Sequence, residues 1–197
     1  MDGGWGETAP VRRSSVLILF GEGPNGPDLL LVQRAPWLRT HAGQAAFPGG
    51  GADPADAGPI ETALREAREE TGVDPAGVAV LGAFADLWLP ISANAVTPVV
   101  AWWHAPSDVF VADDTEITAV VRIPLHEFAD PAARGVVTSL RGASPAFEVG
   151  GLVVWGFTGV VISALLQWLG LERPWDPARE LRLPPGEDGP LTLTVGE

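Results

Sequence analysis

The chain of 197 residues has no cysteine, and its 12 cationic side chains are all arginine. Without cysteine, disulfides, thiolate metal sites and cysteine nucleophiles are excluded. The absence of lysine fits a general codon bias, so we give the arginine count no functional weight.

Positive charge is also scarce, because 25 acidic side chains oppose those 12 cations and the formal net charge is −13. Proteins that bind nucleic acid in general use excess Lys and Arg to neutralise phosphates, so that function class is excluded. A phosphate-containing ligand would need local arginines. With 46% apolar residues, the chain is long enough for one well-buried domain.

No signal peptide or retention signal is recognisable, so we expect a cytoplasmic protein. One uncharged run, residues 150–170, is long enough to span a bilayer. Four glycines interrupt its first half and no basic cluster flanks it. We therefore predict a buried strand followed by a core helix over 158–169, and no membrane partner.

Apolar runs separated by turn residues predict a fold that alternates strands with helices. The predicted strands cover residues 15–20, 29–34, 78–89, 96–103, 117–123 and 152–155. A helix is predicted over 60–71, ended by Gly72, after a Gly- and Pro-rich stretch from 35 to 59. The class is α/β or α+β with a mixed sheet, and both chain ends are expected to be irregular.

The helix over 60–71 segregates its charges. A core-facing stripe is predicted on one side, formed by Ile60, Ala63, Leu64, Ala67 and Thr71. Glu61 precedes Arg65 in a favourable i,i+4 pair. Arg65 lies between Glu61 and Glu69, so it could also orient a glutamate carboxylate that binds a metal ion.

Glu66, Glu69 and Glu70 converge on the far side of the same helix, with no cation between them. Glu66 and Glu70 are like charges at i,i+4, which destabilises a helix by a few tenths of a kcal/mol. A salt-bridged solvent face explains this arrangement poorly. Three carboxylates supply the oxygen ligands that Mg²⁺ prefers, so we predict a metal site there.

The loop and helix over 47–73, "FPGGGADPADAGPIETALREAREETGV", resemble a Nudix box. The signature R-E-U-x-E-E-x-G-U, in which U is bulky and apolar, is matched by Arg65, Glu66, Glu69, Glu70, Gly72 and Val73. Ala67 is small for its position, and Ala57 stands where an earlier glutamate is usual. Asp53 and Asp56 lie just upstream.

This loop, and the segment "LLVQRAPWLRTHAGQAAFPGG" before the box, resemble one subgroup, the coenzyme A pyrophosphatases. Arg34, Arg39 and Gly43 stand in register with that subgroup's second signature. Val32 replaces a usual threonine, and Gly51 replaces a frequent basic residue. The likeness covers about residues 14–170.

The resemblance implies a mixed sheet sandwiched between helices, in a Nudix domain over 14–171 flanked by irregular segments 1–13 and 172–197. It implies hydrolysis of a pyrophosphate bond with Mg²⁺, or Mn²⁺ in its place. The expected metal ligands are Glu66, Glu69 and Glu70.

The resemblance also suggests roles around those ligands. Glu69, Glu70 and Arg65 are expected to serve catalysis, and Glu116 is a further carboxylate candidate whose alternative is an exposed loop acid. Substrate phosphate is assigned to Arg34 and Arg39, beside the turns at Gly49 and Gly50. Trp37 and Phe47 are candidate packing surfaces for a pantetheine arm, and His41 lies in the same loop.

The leading hypothesis is cleavage of coenzyme A (CoA) or its derivatives to adenosine 3′,5′-bisphosphate and 4′-phosphopantetheine. A related hypothesis is a Nudix hydrolase of ADP-ribose, NADH or a nucleoside triphosphate. A third is a catalytically silent nucleotide-binding domain, which would be expected to lose a box carboxylate. The expected partner is a small CoA-like dinucleotide, and family members often form homodimers.

Overall fold

The computed structural model describes residues 12–89, 93–139 and 142–184. Its strands are β1 Arg12–Gly23, β2 Gly26–Arg34, β3 Ala45–Ala46, β4 Gly49–Gly51, β5 Val78–Ala83, β6 Leu87–Leu89, β7 Asn94–Trp103, β8 Ile117–Pro124, β9 Arg134–Ser139, β10 Gly142–Val149 and β11 Leu152–Val154. Its α-helices are α1 Pro59–Thr71, α2 Leu125–Phe128 and α3 Gly156–Trp168.

Strands β1 to β8 form one mixed sheet, built around the central pair β1 and β7. These two strands run parallel, while β2 and β4 pair antiparallel with β1, and β5 and β6 pair antiparallel with β7. Strand β8 extends the sheet beyond β2. Strands β9, β10 and β11 form a separate antiparallel sheet.

The large sheet is buried on both faces, which explains why β1 and β2 read as continuous apolar runs. Leu17 and Leu19 pack with Ala63 and Ala67 of α1 on one face. Ile18, which points to the other face, joins the core formed with α2, α3 and the small sheet. The sheet is thus enclosed between helices, as the sequence predicts.

Helix α1 ends at Gly72, whose left-handed conformation (φ 71°) closes the last turn, as predicted. One position of its predicted core stripe is wrong, because Ile60, in the first turn, is 41% exposed. The predicted strand over 78–89 is two strands, β5 and β6. Strands β9 and β10 are not predicted from the sequence, because glycine, serine and proline dilute their apolar pattern.

The uncharged run over 150–170 forms β11 and α3, as predicted. No helix in the described ranges is long and apolar enough to cross a membrane. Beyond α3, residues 172–184 are largely irregular and bridge to β9 through Glu180 and Val136. Strand β1 already begins at Arg12, and residues 1–11 and 185–197 of the expected irregular ends lie outside the described residues.

Candidate active site

Arg65 is the centre of a hydrogen-bonded cluster between α1 and the loop before it. Its Nε and Nη2 donate to the two carboxylate oxygens of Asp56, at 2.9 and 3.0 Å. Its Nη1 donates to Glu66 at 2.9 Å and to Glu69 at 3.0 Å, and Nη2 donates to the Gly51 carbonyl at 2.9 Å. The guanidinium therefore fixes two box glutamates and the loop in one arrangement.

The sequence predicts Glu61 as a partner of Arg65, but in the structure Asp56 has this role. Hydrogen bonds from Arg65 hold the pKa of Asp56 well below its usual range, and Thr62 Oγ1 also donates to Asp56, at 2.8 Å. Glu61 instead accepts from the Ala57 N–H at 2.6 Å. The predicted Glu61–Arg65 pairing is therefore wrong, whereas Arg65 does orient glutamate carboxylates, those of Glu66 and Glu69.

Glu70 is buried, with 5% of its surface exposed, although it belongs to the charged side of α1. The Gly49 N–H donates to its carboxylate at 3.0 Å. Burial raises the pKa of Glu70 to about 8, and the Gly49 bond opposes this shift only in part. The side chain lies between α1 and β4, where the glycine backbone approaches the helix closely.

Glu66 lies one turn earlier against the same strand. A Cβ atom added to Gly50 would lie 2.5 Å from the Glu66 carboxyl carbon, so only glycine leaves room for the carboxylate as it stands. Burial raises the pKa of Glu66, and the Arg65 hydrogen bond opposes this shift. The carboxylates of Glu66 and Glu70 therefore both lie between β4 and one face of α1.

Glu116 contributes a third negative charge from the loop before β8. Its charge raises the pKa values of both Glu66 and Glu70, and its carboxylate lies 3.8 Å from Arg34 Nη2. The Arg34 charge lowers the pKa of Glu70. The backbone N–H of Ala112 donates to the Glu70 carbonyl at 3.1 Å, which ties this loop to the end of α1. The Glu116 side chain is 52% exposed, as the loop-acid alternative expects, and its charge still acts on both carboxylates.

The donor set suits a hard divalent cation, because Glu66 and Glu70 repel each other at partly buried positions and the exposed Glu116 adds to the negative charge on both. In the described part of the chain, no group of three or more His, Asp or Glu side chains is already arranged to hold a metal ion. Glu69 is turned onto Arg65 and is 57% exposed. The residues fit Mg²⁺ in chemistry, and joint coordination would require side-chain rotation.

Other residues singled out by the sequence divide between the site and the rest of the fold. Arg34 is close to the carboxylates, whereas Arg39 is exposed, and no described contact joins it to them. Phe47 is 2% exposed in the core, so its predicted role as a substrate-packing surface is wrong. Trp37 is 64% exposed, and His41 contacts Gln44 through its Nδ1 atom at 2.9 Å.

The raised pKa of Glu70 predicts how the stability of the metal-free protein depends on pH. Between the ordinary glutamate pKa of 4.5 and the raised pKa of about 8, the folded chain holds a proton that the unfolded chain releases. The free energy of unfolding should therefore fall as pH rises through this window, and Glu66 contributes with the same sign. Urea unfolding in EDTA across the window measures the slope.

Glu70→Gln is expected to flatten that slope, because glutamine has no proton to release. An unchanged slope in this variant, or stability that rises with pH in the parent chain, would contradict the assignment of the titration to Glu70.

Comparison with known proteins places this geometry in a family. The model of the NUDIX domain matches residues 11–140. The uncharacterized Nudix hydrolase NudL of Yersinia pestis is 47% identical over 121 residues, which cover 61% of this chain and 59% of NudL. NudL of Yersinia pseudotuberculosis matches equally well. The match thus spans about three fifths of the length of these curated relatives.

Two solved structures share the fold. The Nudix hydrolase RenU of M. smegmatis aligns with a TM-score of 0.58 at 16% identity, covering 84% of this chain and 90% of RenU. The NUDIX domain of Shewanella oneidensis NrtR, solved with ADP ribose, aligns with a TM-score of 0.51 at 19% identity. The alignment covers 64% of this chain and 81% of the NrtR chain. At such identities they establish the fold alone. Because the family model matches more than half of the chain, the chain belongs to the Nudix domain family.

Proposed function

We propose that the protein hydrolyses the pyrophosphate bond of a nucleoside diphosphate derivative, and that its substrate is CoA or a CoA derivative. The products would be adenosine 3′,5′-bisphosphate and 4′-phosphopantetheine, or acyl-phosphopantetheine from an acyl-CoA. The observation that carries the proposal is the cluster of Glu66, Glu70 and Glu116 beside β4, with Arg34 at its border.

In this proposal Glu66, Glu69 and Glu70 hold Mg²⁺, or Mn²⁺ in its place. The bound ion supplies charge neutralisation for pyrophosphate oxygens, on which negative charge increases as the bond breaks. Arg65 positions Glu66 and Glu69 through its hydrogen bonds. One of Glu69 and Glu70 accepts the proton of the attacking water instead of holding the ion.

Arg34 is proposed to bind a substrate phosphate. Its 3.8 Å separation from Glu116 is too long for a hydrogen bond, and its Nε is buried with no hydrogen-bond partner in the described residues. A guanidinium with donors to spare suits the bidentate recognition of phosphate. The peptide groups at Gly49 and Gly50 and the side chain of Arg39 are proposed as further contacts.

The choice of CoA rests on the segment over 30–50, which carries residues that a Nudix box alone does not require. This segment runs from β2 to β4, and two of its residues border the carboxylate cluster: Arg34 lies 3.8 Å from Glu116, and the Gly49 N–H donates to Glu70. The name of NudL assigns no substrate. ADP-ribose, NADH and nucleoside triphosphates therefore remain the competing substrates.

A substrate panel tests the proposal. The protein, with Mg²⁺, is incubated with CoA, acyl-CoAs, NADH and ADP-ribose, and the products are identified by mass. We expect phosphopantetheine or its acyl form from the CoA species, and loss of turnover when EDTA removes the metal. Cleavage of NADH or ADP-ribose alone would support the related hydrolase and contradict the CoA assignment.

A further inference from the structure

Trp37 exposes a large aromatic surface while its polar atom is engaged. The side chain is 64% exposed, yet its indole Nε1 donates to the Thr115 carbonyl at 2.9 Å. A ring so exposed contributes little to the core. The hydrogen bond instead restrains the indole at one edge and leaves much of its surface open to solvent.

This indole is held at the border of the candidate active site. The Ala35 N–H donates to the Glu116 carbonyl at 2.7 Å, so two hydrogen bonds join the loop after β2 to residues 115 and 116. The side chains of Arg34 and Glu116 lie 3.8 Å apart on the same two segments. Trp37 is therefore three residues from the proposed phosphate-binding arginine, on a tethered loop.

An exposed, restrained aromatic ring near a phosphate site suits a planar ligand. A nucleobase stacks favourably on such a ring, and any base offers a π face. A flexible pantetheine arm loses more conformational entropy on binding and gains more from an enclosing groove. Two concavities in the described residues, lined by 172–175 and by 137–138 with 180–183, do not include Trp37.

We propose that Trp37 stacks on the nucleobase of the substrate and thereby favours nucleotide over non-nucleotide diphosphates. This inference rests on the proposed function for its assumption that the substrate is a nucleotide. It replaces the expectation that Trp37 packs against pantetheine.

Binding of AMP and of ribose 5-phosphate, which lacks the base, tests the proposal by calorimetry. The parent chain should bind AMP more tightly than ribose 5-phosphate. Trp37→Ala should raise the Kd for AMP about tenfold and leave that for ribose 5-phosphate unchanged. Trp37→Phe keeps a ring without the N–H, so it should retain most of the AMP affinity. Trp168→Ala, which removes a 73% exposed indole on α3, is the matched control and should change neither.

Several outcomes would overturn the proposal: no AMP binding by the parent chain, equal weakening of both ligands by Trp37→Ala, or equal loss in the Ala and Phe variants. The last result would mean that the bond to Thr115 matters and the ring surface does not. If CoA is not cleaved but AMP binding depends on the Trp37 ring, the CoA assignment fails and the stacking role stands. If CoA is cleaved and Trp37→Ala binds AMP like the parent chain, the stacking role fails alone.

Discussion

Replacing Glu70 by glutamine is expected to lower kcat by about 10²- to 10⁴-fold, the range for loss of a general acid or base. Glutamine keeps an oxygen that can accept a hydrogen bond from the Gly49 N–H. It has no negative charge with which to bind a metal ion or accept a proton. The Mg²⁺ affinity, measured by calorimetry at about pH 8, should fall with the rate, because ionised Glu70 is then available to the metal.

The matched control for this variant is Glu61→Gln on the same helix. Glu61 is exposed and accepts from the Ala57 N–H, away from β4, so activity should be unchanged. The metal-free Glu70→Gln chain should also be at least as stable as the parent chain at high pH, because a buried charge has been removed. Full turnover and metal affinity in Glu70→Gln would show that the site is misplaced.

The second large effect is expected from a single methyl group on β4. In Gly50→Ala the new Cβ would overlap the Glu66 carboxylate, so that the flexible end of the glutamate must move away from Arg65. A displacement of about 1 Å at a reacting group can lower activity about 100-fold. Because the side chain can move without unfolding the backbone, the melting temperature should change little.

Gly51→Ala provides the comparison for that variant. A Cβ at Gly51 meets no atom within 4 Å, and the carbonyl that accepts from Arg65 is retained. Steady-state kinetics and thermal unfolding of the two variants separate the local clash from a general loss of strand flexibility. Equal activity in both would contradict the packing of Glu66 against β4.

The contrast between Glu61 and Asp56 shows which contacts of this site can be predicted from the sequence. Helical spacing places both Glu61 and Glu69 one turn from Arg65, and of these two the structure shows the contact with Glu69. The bond from Arg65 to Asp56 depends on the path of the loop over 52–58, which brings residues nine apart together. Periodicity carries no information about such a path.

The burial of the carboxylates also depends on tertiary contacts, which sequence periodicity does not predict. The sequence predicts an apolar stripe on one side of α1 and charge on the other, and Ala63 and Ala67 confirm the first. Glu70 becomes buried because β4, paired with β1, covers the charged side as well. That covering is a tertiary contact between the helix and a strand of three glycines, for which strand propensity gives no signal.

Arg134 connects the fold to residues that lie after α3, beyond the family motifs. Only 3% exposed, it donates to Ser163 of α3 at 2.6 Å, forms an ion pair with Glu172 at 2.8 Å, and stacks its guanidinium on Trp175 at 4.5 Å. Removing one partner of a buried ion pair is strongly destabilising, because the other charge remains without compensation. A recombinant fragment that ended at Leu171 would keep every catalytic candidate and still lose two partners of this cation.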